Sequence, residues 1–347
     1  MSAPRVVVIG SINLDMRLQV EVLPEPGATV LGTGVATGPG GKGANQAVAA
    51  ARSGGRVSFV GSVGSDDAGA TLRAALEADG VSTSGLSVTP GPSGLAVIEV
   101  DAAGQNRIVV ISGANRAVTP ESLDERWLAG ADVVLLQLEV PVATVRRAAE
   151  LGRAAGARVV LNAAPATPLG ADDLADVDLL VVNEVEAAAL LAALGTVPGG
   201  GGGAHGVDGP VAAASLVAHV PAVVVTLGAD GVAWAERGAA GWPVRHTSLR
   251  AGTQPAFPVT AIDTTGAGDT FVGALAVRLG AGEDMPTAVV YASAAAAIAT
   301  TRVGAQEAVP YASEIEALLS EGALLAERAP VAERAPVAGR AGEEHAS

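Results

Sequence analysis

The 347-residue chain contains no cysteine, and only 2% of its residues are aromatic. The missing cysteine excludes disulfide bonds and thiolate metal sites, and it is compatible with a reducing cytoplasm. The few aromatic side chains, beside 45 glycines and a 49% hydrophobic share, indicate one large or two modest cores of small aliphatic groups. Such a core suits helices that pack closely on a parallel sheet.

Basic residues are also scarce, since 21 Lys and Arg stand against 36 Asp and Glu, for a formal net charge of −15. A nucleic-acid partner would need a basic surface for its phosphates, so this charge argues against one. It still permits a small phosphorylated ligand, which backbone amides and a metal ion can hold. The four histidines show no metal-ligand spacing.

The sequence has no long hydrophobic run. The apolar stretch at 6–9 is too short for the core of a signal peptide or for a membrane span. The most apolar later region, 211–227, is interrupted by His219 and Pro221 and resembles a helix followed by a buried strand. We therefore expect a soluble, cytoplasmic protein with no membrane partner.

Short β-branched runs and helical segments alternate along the chain. The runs have the length typical of strands covered on both faces, and they lie at 5–9, 57–60, 132–136, 157–161, 178–182 and 222–226. Helical candidates separate them, at 44–52, 68–78, 142–155, 185–193 and 212–218. An irregular β region at 232–259 precedes three final helices, at 268–279, 286–300 and 313–319. The alternation predicts an α/β fold with a doubly wound, mostly parallel sheet flanked by helices.

Two segments, 16–37 and 94–112, interrupt this alternation. Polar and apolar residues interleave in both, and turn residues occupy 24–27 and 102–104. These features predict antiparallel strands in a small β lid that covers a cleft. Unpaired strand edges of such a lid are usually covered, so we expect a homodimer joined through it.

The lid and the α/β core together form one predicted domain over residues 1–325. The glycine run at 199–203 indicates a flexible surface loop within it. The tail at 326–347 contains a short direct repeat rich in alanine, proline and charge, which predicts disorder.

The strongest chemical signal is Ala-Ile-Asp-Thr-Thr-Gly-Ala-Gly-Asp-Thr-Phe at 261–271. Gly266, Ala267 and Gly268 open a predicted helix, so their amides and the helix dipole form an anion site. Asp269 has two interpretations: it either complements the helix dipole or acts as a general base for an attacking hydroxyl. Its spacing alone leaves both open.

Two familiar nucleotide motifs are absent. A dinucleotide fingerprint needs a third glycine where Phe271 stands. A P-loop needs Ser or Thr after the Gly-Lys pair, and Gly43 follows Lys42 here. A dehydrogenase or P-loop enzyme is therefore disfavoured.

Two further segments are candidate ligand contacts. Gly-Pro-Gly-Gly-Lys-Gly-Ala-Asn-Gln at 38–46 either lets a ligand approach its backbone and the donors of Lys42 and Asn45, or is a plain turn before a helix. Gly-Ser-Ile-Asn-Leu-Asp at 10–15 follows the first strand, where open α/β sheets bind ligands. Asn13 and Asp15 either bind vicinal hydroxyls there or cap the turn.

These motifs, together with Asn-x-x-Glu at 183–186, resemble in order those of the ribokinase (phosphofructokinase-B type) family of sugar kinases. The resemblance runs from about residue 5 to 319. Gly-Ala-Asn at 113–115, Asn-Ala-Ala-Pro-Ala at 162–166 and Arg-Val-Gly-Ala-Gln at 302–306 resemble the ribose-specific members of the family. The resemblance implies ATP-dependent phosphorylation of D-ribose at the 5-hydroxyl, giving ribose 5-phosphate and ADP. The alternatives are a related kinase of deoxyribose, a nucleoside or a keto-sugar, and a non-catalytic sugar-binding protein.

The resemblance also implies residue roles. Asp269 matches the catalytic base, and Gly266, Ala267 and Gly268 match the anion hole. The implied sugar contacts are Asn13, Asp15, Gly41, Lys42, Gly43, Asn45, Glu139 and Asp269. The implied ATP contacts are Asn183, Thr226, Leu227, Gly228, Ala229, Asp230, Gly231, Gly268, Asp269 and Ser293.

Two metal ions complete the implied site. Glu186 matches the acid that organises magnesium through water. An activating potassium ion is implied at Asp263, Thr265, Ala299, Arg302 and Gly304, mostly through backbone carbonyls. Ala308 stands where the family usually has serine, so one hydroxyl oxygen is missing from that site.

Overall fold

The computed structural model describes residues 2–196, 207–237 and 248–328. Its strands are β1 (Arg5–Ile9), β2 (Asn13–Val20), β3 (Gly32–Gly40), β4 (Arg56–Gly64), β5 (Ser82–Thr89), β6 (Gly94–Val100), β7 (Asn106–Ile111), β8 (Val133–Gln137), β9 (Arg158–Asn162), β10 (Leu179–Asn183), β11 (Ala222–Thr226), β12 (Val232–Arg237) and β13 (Leu249–Gln254). Its helices are α1 (Lys42–Arg52), α2 (Asp67–Ala78), α3 (Val142–Ala154), α4 (Glu184–Ala193), α5 (Gly209–Leu216), α6 (Ala267–Gly280), α7 (Met285–Thr300) and α8 (Ala312–Arg328).

The main sheet has nine strands within the described residues, in the order β13-β12-β11-β10-β9-β8-β1-β4-β5. Seven of them run parallel, and β12 and β13 add an antiparallel edge. Central strands such as β1 and β8 are continuous runs of buried Val, Leu and Ile because helices cover both faces. One core cluster packs under α1, α2, α6, α7 and α8, and the other packs under α3, α4 and α5. The predicted doubly wound α/β fold is confirmed.

Strand β5, at the edge of this sheet, was not predicted from the sequence. Its residues are serine- and threonine-rich and alternate between exposed and buried positions. An edge strand with one open face does not carry the continuous apolar run that identifies the central strands. β4 is also longer than its predicted core at 57–60, because it extends to Gly64 beside β5.

The lid is a separate four-stranded sheet in the order β3-β2-β6-β7. Its outer ladders, β2–β3 and β6–β7, are antiparallel hairpins, as predicted. The central ladder β2–β6 is parallel, which the sequence pattern did not predict. The reason is topological: β2 follows β1 and β6 follows β5. Because β1 and β5 run parallel in the main sheet, with β4 between them, both lid strands leave that sheet in the same direction.

Two predicted features extend beyond what the structure describes. The glycine run at 199–203 lies outside the described residues. The final helix, α8, continues to Arg328, three residues past the predicted domain boundary, and the rest of the predicted tail is also outside. Among the helices that are described, none is long and apolar enough to cross a membrane.

The packing of α1 against α6 brings the site together. At Gly273 of α6, a Cβ atom would lie 2.5 Å from the carbonyl oxygen of Gln46 and 2.6 Å from the Cβ atom of Ala49. Only glycine permits this approach, since real Cβ atoms do not come so close to their neighbours. The N-terminal turns of both helices therefore meet at the edge of the sheet where β1 and β8 end.

Candidate active site

A cavity of about 720 Å³ lies between the lid and the carboxyl ends of the main-sheet strands. Eight of the predicted sugar, catalytic and anion-hole residues line it: Asn13, Asp15, Gly41, Lys42, Asn45, Glu139, Gly266 and Asp269. Four segments far apart in the chain thus converge on one space, with lid residues such as Ile98 and Ile108 as its cover.

Asp269 lies in the first turn of α6 and is only 7% exposed. Its Oδ2 accepts a hydrogen bond from the side-chain amide of Asn45 at 3.0 Å, and its Oδ1 accepts one from that of Gln46 at 3.0 Å. These two donors fix the carboxylate in place, since each of its oxygens accepts one of the hydrogen bonds. Each oxygen can accept a second hydrogen bond, so the group remains able to bind a substrate hydroxyl.

Buried amides form a second layer behind Asp269. Gln46 donates to Asn162 Oδ1 at 3.0 Å and accepts from Gln137 Nε2 at 2.7 Å. Gln306 donates to Asn45 Oδ1 at 3.1 Å. The sequence analysis assigned no role to these residues, although Gln46, Asn162 and Gln306 stand in the motifs that carry the family resemblance. Each of these amides stands among apolar and glycine residues in the sequence, which indicates a buried position. A buried amide needs hydrogen-bond partners, and this requirement is the signal that could have identified these residues.

Glu139 holds the sugar end of the cavity together. Its Oε2 accepts hydrogen bonds from Ser11 Oγ at 2.6 Å, from the backbone N–H of Lys42 at 3.1 Å and from Asn13 Nδ2 at 3.4 Å. The carboxylate therefore connects the end of β1, the start of β2 and the start of α1. Ser11 was also absent from the predicted site.

Asn13 is oriented by a residue that the sequence analysis left without a role. Asn115 Nδ2 donates to Asn13 Oδ1 at 2.7 Å, and Asn115 Oδ1 accepts from the backbone N–H of Ile12 at 3.0 Å. Both asparagines are buried. Since Asn115 holds the carbonyl end of the Asn13 amide, the amide nitrogen is directed toward Glu139.

Two glycines allow α1 to begin against the backbone of β2. Gly41 has a φ of 90°, and a Cβ atom there would lie 2.8 Å from the backbone nitrogen of Asn13. At Gly43 a Cβ atom would lie 2.7 Å from the backbone nitrogen of Ser11. Gly43 is therefore packed behind the cavity, where it supports the turn, and it is not among the residues that line the space.

Lys42 places a positive charge among the acids of the site. Burial acts to lower the pKa of Lys42, but Asp269, Glu139 and Glu186 raise it above its ordinary value. The ammonium group is therefore firmly charged. It reduces the repulsion between the carboxylates and is placed to attract an anionic group.

Asp15 is the least satisfied acid of the cavity. Its buried Oδ1 has no hydrogen-bond partner in the described part of the chain. Burial raises the pKa of Asp15 to about 7, and Glu139, Asp269 and Glu307 add to the effect while Arg17 opposes it. A buried acceptor without a donor is costly, and a ligand hydroxyl would satisfy it.

The predicted anion hole has the expected backbone shape. Gly266 caps α6 in the left-handed region, with a φ of 72°, and a Cβ atom at Gly268 would meet no neighbour within 4 Å. The N–H of Ala267 donates to Thr264 O at 3.2 Å, so this amide already has a partner. The open face at Gly268 gives an anion room to reach the helix N-terminus.

Among the predicted nucleotide residues, Asp269 lines this cavity, whereas Asn183 and the turn at 226–231 lie outside it at the same edge of the sheet. Asn183 and Thr226 are register partners at the ends of β10 and β11, and the turn from Thr226 to Gly231 closes through Leu227 N–H to Gly231 O at 2.8 Å. Ser293 lies on α7 with a buried hydroxyl oxygen that has no partner among the described residues.

Glu186 has a structural role within this edge. Asn183 Oδ1 accepts from the Glu186 N–H, and Glu186 Oε2 accepts from the Asn183 N–H, each at 2.8 Å, so the pair caps α4. Burial raises the pKa of Glu186, Asp269 adds to this, and the Asn183 N–H and Lys42 act against it. The carboxylate thus lies in the field of the catalytic groups, and its other oxygen suits a water on magnesium.

The predicted potassium residues also converge. The Asp263 N–H donates to Thr300 O at 3.1 Å, the Gly304 N–H donates to Asp263 Oδ2 at 3.0 Å, and the Arg302 N–H donates to Ala299 O at 3.2 Å. No group of three or more His, Asp or Glu in the described ranges is arranged to hold a metal. The carbonyl oxygens of Thr300 and Ala299 each already accept one of these hydrogen bonds, and the potassium site stays a prediction.

Comparison with known proteins agrees with this geometry. A family model described as pfkB family carbohydrate kinase matches residues 3–312. The sequence is 37% identical over 324 residues to a ribokinase of Bacillus subtilis, covering 91% of this chain and 99% of the relative. It is 34% identical over 324 residues to a deoxyribokinase of Salmonella typhimurium, covering 91% and 98%. The fold is similar to that of Arabidopsis thaliana ribokinase complexed with ribose and ATP, with a TM-score of 0.78, 30% identity and coverage of 92% and 99%.

Proposed function

Because the chain belongs to the pfkB family of carbohydrate kinases, we propose that it transfers the γ-phosphoryl group of ATP to the 5-hydroxyl of D-ribose. The observation that carries this proposal is the carboxylate of Asp269, fixed by Asn45 and Gln46 beside the glycine start of α6. A hydroxyl bound there lies between a proton acceptor and an anion site. Phosphoryl transfer to an alcohol needs this pair.

The reaction follows from that arrangement. Asp269 accepts the proton of the 5-hydroxyl while the hydroxyl oxygen attacks the γ-phosphorus, the bond to the β–γ bridging oxygen breaks, and ADP leaves. The amides of Gly266 and Gly268 stabilise charge on the transferred group. The products are ribose 5-phosphate, ADP and a proton, and the lid excludes water that would otherwise hydrolyse ATP.

The remaining polar groups of the cavity bind the sugar. We assign its other hydroxyls to Asn13, Asp15, Lys42 and Glu139, which line the cavity together with Asp269. Asp15 offers an acceptor that has no partner of its own, so a sugar hydroxyl gains a bond there without displacing a protein group. Holding the sugar at several points orients its 5-hydroxyl toward Asp269.

The nucleotide and metal roles extend this proposal. We assign ATP to the edge formed by Asn183, Ser293 and the turn at 226–231, with magnesium at Glu186 through water. Magnesium would neutralise phosphate oxygens, and potassium at the Asp263 site would support the loop before α6. ATP as a substrate favours a cytoplasmic location.

The lid offers a surface for a second copy of the chain. Its edge strands β3 and β7 carry exposed apolar residues, among them Val35 at 69% and Val109 at 62% exposure, and Leu31 before β3 is 90% exposed. Exposed apolar strand edges favour pairing with another edge. We therefore propose a homodimer joined through the lids, and a monomer in sedimentation at assay concentration would contradict it.

The test of the function is ADP release measured with ribose, 2-deoxyribose, a keto-sugar, a nucleoside and no sugar, with Asp269→Asn as the matched background. Ribose should give the highest kcat/KM. Deoxyribose is the second candidate, since the deoxyribokinase is nearly as similar as the ribokinase. A higher kcat/KM with 2-deoxyribose would replace ribose as the substrate. No sugar-dependent ADP release with any of them would leave a sugar-binding protein.

A further inference from the structure

The side chain of Arg17 connects the lid to the loop before α6. Arg17 lies on β2, two residues after Asp15, so both side chains project from the same face of the strand. Its Nη2 is 2.8 Å from Asp263 Oδ2 and 3.3 Å from Thr265 Oγ1. Neither Arg17 nor its contacts follow from the sequence motifs, in which position 17 has no assigned role.

Asp263 in turn holds the loop that begins α6. Its Oδ1 accepts from the Thr265 N–H at 3.0 Å and from Thr265 Oγ1 at 2.7 Å, and its Oδ2 accepts from the Gly304 N–H at 3.0 Å. Through these three hydrogen bonds the carboxylate fixes Gly304 and residues 263–265, which lie directly before the anion-hole glycine Gly266.

The ion pair between Arg17 and Asp263 connects the lid to the loop before α6. The side chains of Arg17 and Asp263 are 19% and 15% exposed, so solvent screens the pair less than it screens a surface pair. Since one end is on the lid and the other on the loop before α6, displacement of either element breaks the same contact.

We propose that Arg17 is a positioning residue that couples the lid over the sugar to the loop that forms the anion hole. With the lid in place, its guanidinium holds Asp263, and Asp263 holds the backbone at Thr265 and Gly304 in the geometry that stabilises the transferred phosphoryl group. Arg17 itself touches neither the sugar nor the phosphate. The kinetic test of this inference rests on the proposed kinase function. Amide hydrogen exchange tests the inference independently of that function.

The kinetic test compares Arg17→Ala and Arg17→Lys with Arg107→Ala. Arg107 is a matched control, because it is another lid arginine whose guanidinium donates to a backbone carbonyl, that of Pro24 at 2.7 Å. Assays at about pH 8.5 keep Asp15 ionised, since Arg17 also affects its pKa. We expect Arg17→Ala to lower kcat about tenfold with less than about a threefold change in the KM for ribose. Arg17→Lys should restore part of the rate, and Arg107→Ala should change nothing.

The KM for ribose distinguishes the proposal from a purely structural role of Arg17 in supporting β2. If Arg17 merely supported β2, its loss would misplace Asp15, and the KM for ribose would rise while kcat stayed near normal; that result overturns the proposal. A cycle with Asp263→Asn adds a second criterion. The double variant should be no slower than the slower single variant, whereas losses that multiply would show that the two residues act independently.

Amide hydrogen exchange tests the coupling without any turnover. In Arg17→Ala, exchange at Thr265 and Gly304 should speed up about tenfold, while Arg107→Ala leaves both unchanged. Unchanged exchange at both amides in Arg17→Ala overturns the proposal. If the native protein shows no sugar-dependent turnover, the proposed function fails, and the exchange result still decides the role of Arg17.

Discussion

Two acids that line the cavity, Asp269 and Asp15, are held in different ways. Asp269, on the main domain, has both carboxylate oxygens bound by amides that are themselves bound in a further layer. Asp15, on the lid, keeps one buried oxygen without a partner and a pKa raised to about 7 by burial and by neighbouring carboxylates. Under the proposed function, the end of the cavity at Asp269 is complete before a ligand arrives, whereas Asp15 gains its partner from the sugar.

This difference has an energetic consequence. Hydrogen bonds that hold Asp269 in place need no rearrangement during the reaction, which is what an efficient base requires. The unsatisfied oxygen of Asp15 raises the free energy of the ligand-free protein, and a bound hydroxyl removes that cost. Sugar binding is therefore favoured by relief of a strained state in addition to new contacts.

The largest effect should come from the catalytic end. Asp269→Asn keeps the shape of the side chain but cannot accept a proton, so we expect kcat to fall by about 10²–10⁴ with the KM values for ribose and ATP within about threefold. Steady-state ADP release measures both. Near-normal turnover would remove Asp269 from the chemistry and leave it as a partner of the helix dipole.

The next effect concerns the sugar end. Asp15→Ala removes the acceptor on the lid, and a lost buried hydrogen bond to a charged group costs about 1–3 kcal/mol, or about 5- to 150-fold in affinity. The KM or Kd for ribose should rise by this factor, while the affinity for ATP serves as the internal control and stays unchanged. An equal loss for both ligands would indicate that Asp15 supports the fold.

A smaller effect should appear in the stability of the ligand-free protein. Because the pKa of Asp15 is about 7 in the folded state and about 3.9 when unfolded, the folded state binds more protons between these values, and stability falls as the pH rises through that window. Asp15→Asn removes the titration, so its stability gain over the native protein should be small near pH 4 and largest above about pH 7. The measurement is the free energy of unfolding in urea at several pH values. A constant difference at every pH would contradict the raised pKa.

The smallest effect concerns the potassium site. Ala308 is fully buried, and Ala308→Ser would restore the hydroxyl that related kinases supply there. We expect the potassium concentration that half-activates turnover to be about two- to tenfold lower in this variant. The kcat at saturating potassium should be unchanged. A potassium titration at saturating ribose and ATP compares the two proteins, with sodium as the control salt. Identical half-activation points would show that the hydroxyl is irrelevant.

The sequence predicted the parts of the molecule whose signals are local. The buried runs of the central strands and the glycines before α1 and α6 determine their own backbone, so the fold and the positions of Lys42 and Asp269 could be inferred directly. The parallel ladder between β2 and β6 could not, because it depends on the order of strands in another sheet. Likewise, the hydrogen bond from Gln46 to Asp269 joins residues 223 positions apart, and no local pattern indicates such a pair.

Lys42, enclosed by three carboxylates at the start of α1, is the only lysine in the chain. Reagents that acylate amines therefore have two targets in this protein, the chain terminus and the sugar cavity. The raised pKa of Lys42 keeps its ammonium form dominant, so the terminus reacts first near neutral pH and the cavity amine reacts as the medium becomes more alkaline. Lys42 is therefore a position in the cavity at which an amine-reactive reagent can label the protein selectively, because no other lysine side chain competes for the reagent.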